Sequence, residues 1–363
     1  MIKTMRGLIG AAMLWPLALW AQTSVPTDTN LDKILHSAWT DGDYYVEYVP
    51  HTVRETMGIP NPSTENNGVL FFAGGSLHEG GTHFCVEKKD KAFVVSNRTI
   101  DPYQWFQVGS TLTYNERADC ILVKDSGIDM LQGVLKRLDS PDELPKFICD
   151  ELRTFAIAGK YVDEKGNSCI FSEKENKVNG AMFPNSHYVF GEEYDTPCLY
   201  LEFPDRIYKA VRTPDKLVLK PMNKDEKYGD YSSIPDEPEI VLKRIFAPNE
   251  YDFPLLSKRV LTTSELMLYA GGSSISYLKD KYADSVLQVA MMLEYMRHEV
   301  YARHHLAFSE MHWQEKFSKK TWYKPEKDYV TNLLSETEWI NTELMRFLYL
   351  KLMKDVYDFE RKN

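Results

Sequence analysis

The sequence changes character once, near residue 261, and that switch constrains the fold more than any other feature. Upstream, short runs of apolar and β-branched residues are broken repeatedly by Gly, Pro and Asn clusters. From Thr263 to Glu360 the breaks thin out and apolar residues recur at helical spacing. Segregated strands and helices predict an α+β chain: a β-rich N-terminal region, read as two small meander or barrel units, followed by an all-α C-terminal module. At 363 residues the chain exceeds one typical domain. The pattern divides it into a leader over 1–21, a β-rich unit over 22–126, a helical connection over 127–154, a second β-rich unit with its linker over 155–258, and the helical module over 260–363.

In the first unit, strands are expected at Tyr44–Val49, Val69–Phe72, Thr82–Glu87, Ala92–Val95 and Cys120–Lys124. Leu131, Val134, Leu135 and Leu138 then fall at helix spacing, which predicts a helix over 128–152 with a break at Pro141. In the second unit, Asp163-Glu164-Lys165-Gly166-Asn167 reads as a turn, and Thr213-Pro214-Asp215 joins Ile207–Val211 to Lys216–Lys220 as a hairpin. Both units are expected to end alike, on an Asp, a three-residue apolar strand core and a final Lys, at Asp119–Lys124 and Asp215–Lys220. Both open on Gly-x-Tyr, at Gly42/Tyr44 and Gly159/Tyr161, so a tandem pair is expected. From Ala158-Gly159-Lys160-Tyr161 the second unit is similar over a few strands to small lipocalin-like barrels. Pro235, Pro238, Pro248 and Pro254 punctuate an irregular connector in which only Ile240–Ile245 reads as a strand.

The first residues carry the order of a secretory signal. Lys3 and Arg6 precede an uncharged run over Gly7–Trp20, and Ala21 offers a small residue for cleavage before Gln22. That run is shorter than the ~20 residues of a spanning helix, and Pro16 interrupts it. The expectation is therefore a cleaved leader, no transmembrane segment, and an extracytoplasmic (periplasmic or secreted) protein. The formal net charge is −10, with the acidity upstream of residue 261, and this excludes general nucleic-acid binding, which needs a basic face. Five cysteines, Cys85, Cys120, Cys149, Cys169 and Cys198, show no C-x-x-C spacing, so no zinc site is expected. An exported chain allows one or two disulfides, within units as Cys85–Cys120 or Cys169–Cys198; buried free thiols are the alternative.

Catalytic readings find no support. His298-Glu299 lacks the second His at the i+4 position, since residue 302 is Ala, and His78 to His83 has the wrong spacing for a peptidase helix. Gly74-Gly75-Ser76 and Gly271-Gly272-Ser273 both lack the closing Gly of a hydrolase elbow. Cys85 and His83 have no third orienting group. The expectation is a non-enzyme with no catalytic residues, no metal and no cofactor.

One stretch is specific: Arg297-His298-Glu299-Val300-Tyr301-Ala302-Arg303-His304-His305, followed by Phe308, by Trp322-Tyr323-Lys324-Pro325, and by Leu334, Glu338 and Asn341. Over residues 286–347 it resembles the YARHG domain of bacterial extracellular proteins. The resemblance implies a small all-helical module outside the cytoplasm, one that often accompanies cell-wall hydrolases and is proposed to bind peptidoglycan. Two positions depart from the family: His305 stands where Gly is usual, and His298 where Asn is usual. Either the helix runs on past His304, or its cap is strained.

At 3.6 residues per turn, Arg297, Tyr301, His304 and Phe308 share one stripe of a helix beginning near Asp284, while Glu299 and Arg303 form an i,i+4 pair on another face. Ser309 is the expected cap of a short helix carrying Trp313 and Phe317. Ser335 and Glu338 form a capping box ahead of Ile340, Leu344, Phe347 and Leu348. Lys316, Lys319, Lys320, Lys324 and Lys327 surround Trp322 and Tyr323, either as solvated lysines over a packed Trp or as basic groups beside exposed aromatics that hold a carboxylate. Candidate binding residues are thus Arg297, Tyr301, Arg303, His304, Lys319, Lys320, Trp322 and Tyr323, read either as packing or as a contact surface for cell-wall material. A carrier or sensor holding a small apolar ligand in the β-units is the competing reading.

Overall fold

The computed structural model describes residues 38–40, 45–49, 67–73, 82–89, 92–98, 109–125, 130–138, 146–191, 199–225, 231–245, 247–271 and 283–362. The leader, the Gly42/Tyr44 pair and His78 lie outside these residues.

Eight strands come first: β1 (Ala38–Thr40), β2 (Tyr45–Val49), β3 (Asn67–Ala73), β4 (Thr82–Lys89), β5 (Ala92–Arg98), β6 (Thr111–Asn115), β7 (Cys120–Asp125) and β8 (Met130–Leu138). Each pairs antiparallel with its sequence neighbour, and β1 closes on β8 with Ala38 opposite Leu138, so the region is a closed up-and-down barrel. The β6–β7 turn shows its local cause. The Asn115 side chain accepts the amides of Arg117 and Ala118, each at 3.1 Å, and Asp119 takes a left-handed φ of 46°.

The expected helix over 128–152 is corrected here. Met130–Leu138 is a strand, and the helix, α1 (Lys146–Ile157), begins only at residue 146. The misreading has a packing cause: every residue from Leu131 to Leu135 is buried, so the alternation of a one-sided strand is absent.

The second sheet contains β9 (Gly159–Val162), β10 (Ser168–Phe171), β11 (Lys177–Gly180), β12 (Ser186–His187), β13 (Val189–Gly191), β14 (Leu199–Glu202), β15 (Ile207–Thr213), β16 (Lys216–Lys224), β17 (Tyr231–Ser233) and β18 (Ile240–Ile245). Their order is β12-β11-β10-β9-β18-β16-β15-β14-β13, with β17 beside β16. The expected turn at Asp163 and the β15–β16 hairpin are present. Ile240–Ile245 is no isolated connector strand but sits between β9 and β16. The sheet's two edge strands are joined through the single residue Tyr188, so the sheet curls until its edges meet. Its interior is filled by rings: Phe183 stacks on Phe203 at 5.1 Å, and Tyr188 packs on Phe171 at 6.0 Å.

Two β-units are therefore present, as expected, but they differ in strand number and order: a closed eight-stranded barrel and a curled ten-stranded sheet. The shared Asp-to-Lys pattern marks strands after tight turns, and β7 is not the barrel's last strand. Nor do the expected disulfides form. Cys120 and Cys169 are buried free thiols, pushed up by burial to about 12 and about 11. The side chains of Cys85 and Cys149, and all of Cys198, lie outside the described residues.

The C-terminal helices are α2 (Thr263–Tyr269), α3 (Ala283–Arg303), α4 (Met311–Phe317) and α5 (Glu336–Lys362). They share one continuous apolar core with the barrel, whereas the ten-stranded sheet has its own. Polar ties reinforce the junction: Asn115 donates to Glu336, and Lys136 reaches Glu265 at 2.9 Å. Glu265 also completes the capping box of α2 with Thr262.

Candidate functional site

The 21-residue helix α3 has two polar faces, and the one bearing Glu299 and Arg303 is the more deeply buried. Glu299 accepts the amides of Asp252 at 2.9 Å and Phe253 at 3.1 Å, and is ion-paired with Arg303. Arg303 donates to the Ser257 hydroxyl at 2.7 Å and to the Phe253 carbonyl at 2.8 Å. From the far side, Lys320 reaches Asp252 at 2.8 Å, and the Tyr295 hydroxyl donates to the other Asp252 oxygen at 2.5 Å. Burial pushes the Asp252 carboxyl up, but the charges of Arg244 and Lys320 and the hydrogen bonds from Lys320 and Tyr295 outweigh it, holding it below the usual range. Burial pushes Glu299 above its ordinary range, with Arg303 offsetting part of the effect.

Helix α5 grips the same segment. Glu338 accepts from Ser257 at 2.6 Å, meets His304 at 3.0 Å and closes the capping box on the Ser335 amide at 3.0 Å. Asn341 accepts the Leu261 amide at 2.8 Å and donates to the Leu256 and Arg259 carbonyls, each at 2.9 Å. Glu299, Arg303, Glu338 and Asn341 thus converge on residues 252–261, which join the ten-stranded sheet to the helices. They form a clasp, and its chemistry is structural: the amides of Asp252, Phe253 and Leu261 and the carbonyls of Phe253, Leu256 and Arg259 are each met by a side chain.

The cap of α3 resolves the alternatives left by the sequence. The helix ends at Arg303; the His305 amide bonds the Ala302 carbonyl at 2.9 Å and the Leu306 amide bonds Tyr301 at 3.2 Å. This is a Schellman cap with His305, at φ 68°, in the place that favours glycine. The neighbouring His298 is buried and stacked on Trp313 at 4.2 Å, with Nδ1 at 2.7 Å from the Glu294 carbonyl, an acceptor that requires that nitrogen to carry the proton. Burial, then the Arg297 charge, pushes its pKa well below the ordinary value.

The candidate residues separate into buried, half-buried and exposed groups. Arg303, Lys320 and Tyr323 are buried, with the Tyr323 hydroxyl donating to Leu306 at 2.8 Å. Lys320 therefore corrects the expectation of an exposed lysine ring: its ammonium is turned inward to Asp252. Arg297 and Tyr301 are half-buried between α3 and the apolar core, with Arg297 at 3.7 Å from Glu294. His304 is half-buried on Glu338. The short helix α4 is capped by the Glu310 backbone rather than by Ser309.

Lys319 and Lys324 are exposed, and Trp322 is half-buried at the edge of the same surface, packed against the core. Trp322 donates from Nε1 to the Glu250 carbonyl at 3.2 Å and meets Tyr251 edge-on at 5.1 Å. Tyr251 is 45% exposed, and the Arg303 guanidinium supports its ring at 4.3 Å. Thr321 ties the same loop to Pro248 at 3.0 Å. Tyr251 and Asp252 were missed by the sequence reading; the only signal was an aromatic cluster, Tyr251-Asp252-Phe253, inside a Pro-punctuated connector. Among the described residues, no group of three His, Cys, Asp or Glu side chains is placed to hold a metal ion. Among them, too, no helix is long and apolar enough to cross a membrane.

A helical bundle held by buried ion pairs to a β-rich scaffold is the class this geometry defines. The family model of the YARHG domain matches residues 263–347, beginning at α2 rather than at residue 286. The chain carries this domain as its C-terminal module, and the clasped connector lies just upstream of the matched residues. No curated protein and no solved structure matches the chain.

Proposed function

We propose that this is a non-catalytic protein working outside the cytoplasm, and that its YARHG module contacts cell-wall material through the Tyr251–Trp322 surface. The observation that carries the reading is a half-exposed aromatic pair, fixed from below by Arg303 and the Glu250 carbonyl, with exposed Lys319 and Lys324 close by in sequence. Rings held in this way stack on sugar faces without an ordering cost, and ammonium groups pair with the carboxylates of stem peptides. The leader-like N-terminus and the YARHG match support the location. The apolar-carrier reading needs a ligand-sized interior; in the ten-stranded sheet that space holds Phe171, Phe183, Tyr188, Phe203 and Tyr208.

The test is sedimentation of the full chain with purified peptidoglycan sacculi. The parent is expected to co-sediment at low salt and to release as salt rises, since exposed charges are screened. Reversing Lys319 and Lys324 to Glu should weaken binding, whereas Arg297→Gln should not. A parent that stays in the supernatant at every salt concentration overturns the proposal.

A further inference from the structure

The ten-stranded sheet turns the charged side chain of Arg212 inward, where none of the described residues accepts a hydrogen bond from it. Along β15, Tyr208, Ala210 and Arg212 are the buried positions of an alternating strand, and the first two join the sheet's apolar core. Arg212 is 4% exposed. Its guanidinium lies over the Phe253 ring at 5.0 Å, and none of its three nitrogens reaches a hydrogen-bond acceptor. Tyr269, from α2, packs edge-on against the same ring at 5.4 Å; the Leu255 backbone lies beside its buried hydroxyl, and no acceptor among the described residues takes the hydroxyl's own proton. On β18, Arg244 stands opposite Tyr161 in the ladder, and its charge is felt at Arg212. Burial first, and Arg244 next, push Arg212 down to about 10.

A guanidinium offers five donors and no acceptor, and buried donors in folded proteins are almost always met. The nearby carboxylates are already committed. Both Asp252 oxygens are taken by Lys320 and Tyr295, and both Glu299 oxygens by Arg303 and the connector amides. Two cations and a hydroxyl thus meet at the junction of sheet and helices, and among the described residues no carboxylate is hydrogen-bonded to Arg212; Asp252 acts on it only at a distance.

We propose that Arg212, with the Tyr269 hydroxyl and the second positive charge of Arg244, forms a buried binding site for a small oxyanion such as phosphate or a simple carboxylate. The planar fork of Arg212 supplies two parallel donors to such a group, and the Phe253 ring fixes its plane. The site is separate from the Tyr251–Trp322 surface, and the inference does not depend on cell-wall binding.

The test measures thermal unfolding of the full chain in chloride, inorganic phosphate, sulfate and acetate at matched ionic strength, for the parent and for Arg212→Met. Phosphate or acetate at about 50 mM is expected to raise the parent's melting temperature by roughly 3 °C over chloride. Arg212→Met should show no such response. In chloride alone it should melt at or above the parent, because an unsatisfied buried charge has been replaced by an apolar side chain. Direct calorimetric titration of phosphate into the parent gives a readout that does not depend on the variant folding. Phosphate and acetate both acting distinguishes a general oxyanion site from one shaped for a tetrahedral ion, which phosphate and sulfate alone would fill. A parent unresponsive to all three oxyanions, or an equal response in Arg212→Met, overturns the proposal.

Discussion

Lys319 and Lys320 are adjacent, as are Trp322 and Tyr323, yet each pair divides between two environments. Lys320 and Tyr323 face inward, one onto Asp252 and the other onto the Leu306 carbonyl; Lys319 and Trp322 face the surface beside Tyr251. The inner clasp and the outer aromatic face are thus built from the same residue types over the same few positions. What separates them is the partner each meets: the 247–252 loop encloses Lys320 and the Leu306 carbonyl takes the Tyr323 hydroxyl, whereas Trp322 lies along the outer side of that loop and Lys319 meets water. Chemical type therefore says little about role here; the partner segment decides it.

The sharpest way to break this comparison is to remove a clasp residue. Arg303→Ala leaves Glu299 buried without its cation, and such losses cost about 3–5 kcal/mol. Urea unfolding should show that drop; a change under about 1 kcal/mol would mean the clasp is no more critical than the surface.

Next in size is a pH effect confined to the interior. His298 is held neutral, its folded pKa below the unfolded value of about 6.5. Above that pH its neutral burial costs nothing. As pH falls below it, the unfolded chain takes up a proton that the folded chain refuses, so stability declines by up to about 1.4 kcal/mol per pH unit. His298→Phe keeps the stack on Trp313 and should flatten the decline between pH 6.5 and 5; parallel curves for parent and variant would refute the assignment.

A smaller and opposite effect is expected at the Schellman cap. His305→Gly relieves the left-handed strain and should stabilise the chain by about 1 kcal/mol in the same urea experiment. The smallest effect belongs to the outer face: Lys319→Ala should change stability by less than about 0.5 kcal/mol while altering only sacculus binding.

Much of this was legible in the sequence, and the exceptions share a cause. The strand runs, the β15–β16 hairpin, the Ser335–Glu338 capping box and the Glu299–Arg303 pairing all arise from contacts within a few residues, where spacing carries the information. Strand β8 was read as a helix because it is buried on both faces, one of them against α5, and two-sided burial removes the period of two. Spacing alone points Lys320 to solvent because its partner Asp252 lies 68 residues away, and it leaves Arg303 open between packing and contact because Ser257 lies 46 away. No local pattern announces such partners. The orphaned Arg212 was invisible for the converse reason: its strand alternates normally, and only the fold reveals that its position faces inward.

The joining of the second sheet's edges through Tyr188 has a consequence for self-association. Open sheets present rows of unpaired amides and carbonyls that recruit strands from other copies, the route to fibrous aggregates. Here the edge strands are only two and three residues long, Ser186–His187 and Val189–Gly191, and chain continuity sets each beside the other. An approaching strand finds too few consecutive backbone groups to template a ladder. For a chain expected to work away from the chaperones of the cytoplasm, that geometry guards against runaway polymerisation without a closed barrel's full set of ladder bonds.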